Sequence, residues 1–266
     1  MERLTMADIL MCFDKNYMWH AMSVACQIQD EVSSFNFITD SDSYKQVYDT
    51  VKKIESRLGI ETNVYDVSSI LDSNLKVKYG VSKWKAKLTA STYYRLYAPA
   101  FINKDRVLYL DSDVNVYKSL KPLFDMTMTE ELAAVQDSSS MWHSEDGEDK
   151  KQKSFNNGVL LMNLDSMRKT GFLDKILELA KSVDWNLEWE DQTLLNMYYG
   201  DDIDWLPLKW NWQRMNCYLK GEKMPEDTVI QHFVSKPKPW DNIEVEDNRY
   251  FDRFNLKEQV AREVLS

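Results

Sequence analysis

Val107-Leu108-Tyr109-Leu110-Asp111-Ser112-Asp113 is an apolar run that stops at two carboxylates one residue apart. Preceded by the polar Asn103-Lys104-Asp105-Arg106, it predicts a short buried strand. In extended backbone, side chains at i and i+2 share a face, so Asp111 and Asp113 project together where the strand ends. Ligands of open α/β sheets sit in the crevice beyond the carboxyl ends of the strands. Two hard oxygen donors there suit a divalent cation and, through it, a phosphorylated substrate. The same pattern recurs at Asp40-Ser41-Asp42 and Asp202-Ile203-Asp204, and alone such a triplet reads as a turn or a helix cap. The surroundings have to separate them.

Outward from that run, the chain alternates strand and helix. Ala7 to Phe13 predicts a first buried strand, Asp14-Lys15-Asn16-Tyr17 a loop, and Met18 to Ile28 a helix, the opening of a nucleotide-binding α/β unit. No Gly-x-Gly-x-x-Gly and no Walker loop follows the first strand, which disfavours a dinucleotide site and a P-loop. Phe35 to Thr39 is a second strand. Tyr44, Val47, Tyr48, Val51, Ile54 and Leu58 then recur at helical spacing up to Gly59, and Thr62 to Val67 is a third strand. Lys83 to Tyr97 predicts a helix that stops before Pro99. Its three lysines read as a solvated face. Arg95, among Tyr93, Tyr94 and Tyr97, is placed to meet a diphosphate.

Leu132 to Val135 is a further strand, followed by Asp137. Residues 138–154 are polar and charged, include Trp142 and His143, and read as a solvated loop or a lid over substrate. Phe155-Asn156-Asn157-Gly158 leads into a strand from Val159 to Asn163, and a helix is expected from about Gly171 to Val183. Asp191 stands where an N-cap would, at the start of a helix closed by Gly200. Val229 to Phe233 is a last buried strand, and Asn255 to Ser266 a short helix with Leu256, Val260, Val264 and Leu265 on one side. With no linker or repeat, one α/β domain is expected over 1–250, with 251–266 a helical tail packed on it or extending it.

Composition narrows the partners. The 266 residues carry a formal charge of −10, which disfavours nucleic acid and an anionic membrane surface. Nine Trp and 14 Tyr with only seven Gly argue for a packed globule. Three cysteines without motif spacing read as reduced thiols. No apolar run approaches the length of a membrane span, so a cytoplasmic protein is expected, with at most peripheral membrane contact.

The segments Ile9 to Tyr17, Thr92-Tyr93-Tyr94-Arg95-Leu96, Val107 to Asp113, Phe155 to Asn163, Asp191-Gln192-Thr193-Leu194-Leu195-Asn196, Leu206 to Asn211, and His232 with Lys238-Pro239-Trp240 occur in an order and spacing that matter together. Together they resemble family 8 of the retaining glycosyltransferases, sugar-nucleotide enzymes of GT-A fold that include bacterial lipopolysaccharide galactosyl- and glucosyltransferases. The resemblance implies a Rossmann-like single domain with a mixed central sheet. It places Asp111, Asp113 and His232 around a metal; oxygen ligands plus one imidazole suit Mn²⁺ better than an all-oxygen site would, with Mg²⁺ as the alternative. It sets Lys238 on the donor phosphates and Asp14, Asn16 and Tyr17 on uracil and ribose. Arg95 and Asn156 then lie near the donor sugar, with Asp191 and Gln192 facing the reacting carbon. Ser235 departs from the pattern, since glycine is frequent at that position. The implied reaction moves glucose or galactose from a UDP-sugar to a hydroxyl of a glycan, glycolipid or glycoprotein. Two other readings stand beside it: a non-catalytic UDP-sugar-binding protein on the same fold, and a sugar-1-phosphate nucleotidyltransferase. The latter is expected to carry a Gly-rich basic loop where this chain has Asp-Lys-Asn-Tyr.

Overall fold

A computed structural model describes residues 6–72, 75, 90–138, 153–183, 190–216, 221–241 and 249–265. Trp142, His143, most of the expected lid, Lys83, Lys85, Lys87 and Cys217 lie outside the described residues. The strands are β1 Ala7–Cys12, β2 Val32–Thr39, β3 Glu61–Asp66, β4 Arg106–Leu110, β5 Val114–Val116, β6 Leu132–Gln136, β7 Phe155–Asn163, β8 Asp204–Leu206, β9 Trp212–Gln213 and β10 Ile230–His232. The helices are α1 Met18–Ile28, α2 Ser41–Leu58, α3 Ala98–Phe101, α4 Lys121–Phe124, α5 Leu164–Thr170, α6 Phe172–Ser182, α7 Glu190–Tyr199 and α8 Arg249–Leu265.

Seven strands form the main sheet in the order β3-β2-β1-β4-β7-β6-β8. β7 pairs antiparallel with both its neighbours, whereas β1, β2, β3 and β4 pair in parallel. The sheet is therefore mixed, as expected. Strands buried on both faces need apolar residues at consecutive positions, and these have them. Ile9, Met11, Leu108 and Leu110 join the core under α1, α2 and α8, while Leu10, Val107 and Tyr109 join the core on the other side with residues of α5, α6 and α7. Each fully buried Leu, Ile or Phe in these two layers contributes about 1.5–3 kcal/mol by leaving water.

β7 is what brings the site together. Because it runs against β4, its first residues lie at the edge where β4 ends. Leu110 pairs with Val159, and the Asp111 N–H donates to Gly158 O at 2.8 Å. A second sheet, β5-β10-β9, sits beside that edge. There β10 pairs antiparallel with β5, setting His232 opposite Val114, and the Phe233 N–H donates to Asp113 O at 3.0 Å.

Four expectations are corrected. β7 begins at Phe155 rather than Val159, so Phe155-Asn-Asn-Gly is strand and not its approach. Helical backbone does not stop before Pro99: the 3-10 segment Ala90–Tyr97 passes into α3 with Pro99 in its first turn, where a missing N–H breaks no intrahelical bond. The aromatic Trp210-Asn211-Trp212 reads from sequence as strand, but Trp210 belongs to a 3-10 turn over Leu208–Trp210. The C-terminal helix starts at Arg249 and buries Phe251, Phe254, Ala261 and Leu265, leaving Leu256, Val260 and Val264 exposed. Its packing face is set by the two phenylalanines, both of which precede the helix expected from Asn255.

Candidate active site

The two rival Asp-x-Asp triplets are structural. Asp40 is the N-cap of α2, its Oδ1 accepting from the Ser43 N–H at 2.8 Å, and its Oδ2 also accepts from the Tyr94 hydroxyl. Asp204 accepts from the Thr129 and Glu130 N–H groups and so ties a turn to β8.

Asp111 and Asp113, by contrast, meet a histidine. His232 Nε2 lies 3.2 Å from Asp113 Oδ1 and 3.5 Å from Asp111 Oδ2, and one ligand atom from each residue falls within 4.8 Å of the others. Among the described residues no other trio of His, Cys, Asp or Glu is so grouped. Two carboxylate oxygens and one imidazole nitrogen converging at the carboxyl edge fit a divalent cation of the Mn²⁺ or Mg²⁺ kind. Asp113 is further held by Lys238, whose Nζ donates to Asp113 Oδ2 at 2.5 Å and to Phe233 O at 2.7 Å. Burial opposes the Asp113 charge, but Lys238 and His232 outweigh it and hold the carboxyl well below the usual carboxylate range.

Arg95 is buried behind the pair. Its Nη2 lies 3.2 Å from Asp111 Oδ1 and its Nε 3.2 Å from Asp191 Oδ2, while Nη1 donates to Asn157 O. The guanidinium stacks over the Tyr109 ring at 4.2 Å, and the Tyr109 hydroxyl donates to Asp111. Arg95 thus joins Asp111 to Asp191 at the start of α7. Burial pushes the Asp191 carboxyl up to about 7, with Arg95 opposing. Asn157 Nδ2 donates to Asp191 Oδ2 at 2.6 Å. Gln192 and Asn156 both donate to Asp137 Oδ2 at 3.1 Å, and Asn156 also donates to Gln192 Oε1.

The β1 loop is built as an Asx turn: Asp14 Oδ1 accepts from the Asn16 N–H at 2.8 Å. Tyr17 is 38% exposed, with its ring nearly perpendicular to those of Trp240 and His20. Ser235 has φ of 62°, and no other described non-glycine residue has positive φ. That left-handed backbone favours glycine and explains why glycine is frequent there; serine keeps the conformation at a cost of order 1 kcal/mol.

Of the expected site residues, Asp111, Asp113, His232, Lys238, Arg95, Asp191, Gln192 and Asn156 form one contiguous network. Asp14, Asn16, Tyr17 and Ser235 lie on loops and add no contact to it. Tyr109, Asp137, Asn157 and Asn211 take part but were not expected to. A usable signal existed for Asp137, an acidic residue closing an apolar strand just as Asp111 does. Asn157 and Tyr109 could be assigned only once β7 was known to run antiparallel.

Known proteins give this geometry a lineage. Residues 8–244 match the family described as glycosyl transferase family 8. The chain belongs to that family. Among curated relatives, the glycosyltransferase GlyE of Streptococcus pneumoniae is 30% identical over 177 residues, covering 61% of this chain and 41% of GlyE. A lipopolysaccharide 1,2-glucosyltransferase of Escherichia coli is 28% identical over 167 residues, covering 56% of this chain and 49% of that protein. The chain thus spans less than half the length of either relative. The solved structure of the galactosyltransferase LgtC with donor and acceptor sugar analogues superposes with a TM-score of 0.77 at 22% identity, covering 95% of both chains. That likeness shows the GT-A fold of the family. No helix among the described residues is long and apolar enough to cross a membrane.

Proposed function

We propose that this family 8 chain is a metal-dependent, retaining hexosyltransferase, which moves glucose or galactose from a UDP-sugar to a hydroxyl of a glycan or glycoconjugate. The observation that carries this reading is the convergence of Asp111, Asp113 and His232 beside Lys238, at the sheet edge onto which the Asp14–Tyr17 loop also opens.

The chain's own groups suggest the division of labour. Tyr17 offers a ring face to the base, and Asp14 and Asn16 offer polar atoms to uracil and ribose. A divalent cation held by Asp111, Asp113 and His232 would neutralise charge on the diphosphate as it leaves. Lys238 offers a charge-assisted hydrogen bond to the same phosphates, a role open to an ammonium whose present partners are Asp113 and a backbone carbonyl. Asp191 stands at the start of α7 with Gln192 beside it, and its carboxylate is suited to stabilise positive charge developing at the anomeric carbon. Arg95 holds Asp191 in place while linking it to Asp111, so the sugar-facing and cation-facing halves share one rigid support. We assign the Ser235 loop to the phosphates as well, through its backbone.

Titration of the chain with UDP, UDP-glucose and UDP-galactose in the presence of Mn²⁺ tests this reading. Binding that requires Mn²⁺, followed by release of UDP, is expected. Failure of all three nucleotides to bind removes it.

A further inference from the structure

His232 is gripped from the side away from Asp111 and Asp113. We propose that Asn211, acting with Asn156 and Gly158, is a positioning residue that keeps the proton of the His232 imidazole on Nδ1 and thereby presents Nε2 to the cation. This inference rests on the reading of Asp111, Asp113 and His232 as cation ligands.

The argument begins with a group whose direction is fixed by chemistry. The Gly158 backbone N–H points at one atom of the Asn156 amide, 3.1 Å away, and a backbone N–H can only donate; that atom is the oxygen. The other end of the Asn156 amide is then NH₂, in agreement with its contacts to Asp137 Oδ2 and Gln192 Oε1. Asn211 reaches the same Asn156 oxygen at 2.8 Å and must do so with its own NH₂, which turns its oxygen the other way. That oxygen lies 3.2 Å from His232 Nδ1, and Asn156 Oδ1 lies 3.1 Å from it. Nδ1 therefore faces two carbonyl oxygens, neither of which carries a hydrogen. Only a protonated Nδ1 satisfies them. A neutral imidazole has one N–H and one lone pair, so the lone pair falls to Nε2, the nitrogen beside Asp113 and Asp111. Asn211 is fully buried and Asn156 and His232 are 3% exposed, so no bulk water competes for Nδ1.

Gly158 contributes space as well as direction. A Cβ placed there would collide with His232 Cε1 and lie 2.7 Å from Asp111 Oδ2, so any side chain displaces the imidazole. Asn211 is held by its own N–H, donated to Leu208 O, at the end of the turn before β9, and β9 pairs in parallel with β10. The grip on the ring is thus part of the small sheet that delivers it. Acceptors of this kind behind a metal-binding histidine tune affinity by about 10–100-fold.

The test uses the full chain with UDP present. Mn²⁺ affinity is followed through the electron paramagnetic resonance of the free ion, and nitrogen ligation through the ¹⁴N coupling of the bound ion in pulsed spectra. Asn211→Leu removes the acceptor at nearly constant volume; it is expected to weaken Mn²⁺ binding by about 10–100-fold and to diminish the ¹⁴N coupling. Gly158→Ala is expected to do the same by displacing the ring. Circular dichroism melts establish that each variant is folded. Wild-type affinity and coupling in a folded Asn211→Leu variant overturn the proposal. Should that variant not fold, ¹⁵N spectra of the Mg²⁺-loaded wild-type chain decide, since only three histidines contribute. A proton on His232 Nδ1 with none on Nε2 is expected, and a proton on Nε2 overturns the assignment. Absence of Mn²⁺ binding by the wild-type chain overturns the cation reading and this inference together, whereas binding that survives Asn211→Leu overturns this inference alone.

Discussion

Asp113 and Asp191 are both buried, yet their neighbours drive their carboxyls in opposite directions. Asp113 has Lys238 and His232 against it and is held low, so its contribution to stability is present above the ordinary carboxylate pKa and is lost as pH falls. Asp191 is pushed up to about 7 by burial. Between its ordinary value of 3.8 and about 7 the folded chain keeps a proton that the unfolded chain has released. The stability it contributes is therefore full in acid and lost as pH rises through 7. Asp191→Asn should flatten that loss, seen as a smaller fall in denaturation midpoint between pH 5 and pH 8 in urea titrations across roughly that range. Asp113→Ala should abolish metal-dependent release of UDP while leaving a cooperative melt, with the rate measured on UDP-glucose and UDP-galactose. Normal turnover by that variant contradicts the assignment of Asp113. At this scale the sequence was informative wherever a residue type carried its own chemistry. The carboxylate pair, the histidine before Lys-Pro-Trp and the arginine among tyrosines were all legible. Tyr109, Asn157 and Asn211 were not, because an aromatic in a strand or an asparagine in a turn has many ordinary uses. What singles them out is contact with residues far away in the chain.

Among the elements, α2 shows how local signals were enough. Asp40 caps its start, Gly59 at φ 69° ends it with its N–H donated to Glu55 O, and Val47, Val51 and Ile54 form its buried stripe. Asp40→Ala removes both the cap and the Tyr94 contact and should cost about 1–2 kcal/mol, read from chemical denaturation. β7 shows the opposite case. Its apolar run from Val159 was plain, but nothing local says that it runs against its neighbours. The polar Phe155-Asn-Asn-Gly reads as loop because asparagine is a poor strand former. Only pairing with β4 and β6 extends the strand backwards through those asparagines and puts them at the sheet edge. The 3-10 segment before α3 was obscured in the same way. Pro99 looked like a stop, while the structure places it in the first turn of a new helix, where proline is tolerated.

Across the whole molecule, α8 is tied to α1 and to Trp240 by several contacts. Ser23 Oγ donates to Phe254 O, Glu258 pairs with His20 at 2.6 Å, and His20 stacks on Trp240 at 3.7 Å. Phe254 is fully buried among these groups, so Phe254→Ala should destabilise the chain by about 3–5 kcal/mol. If α8 and the sheet form one cooperative unit, that variant melts in a single transition at lower temperature. A separate early transition of α8 would show instead that the helix folds independently. The α/β class and the mixed sheet were legible from alternation and from the family segments, whereas the face α8 buries was not. Helical periodicity fits more than one stripe, and tertiary partners choose between them. The antiparallel register of β5 against β10 has a consequence in time as well as in space. A ribosome completes Asp111 and Asp113 long before it reaches His232, and the strand that carries the histidine must find its partner before the three side chains meet. A nascent chain therefore cannot gather Asp111, Asp113 and His232, and the trio assembles only once the second sheet has closed.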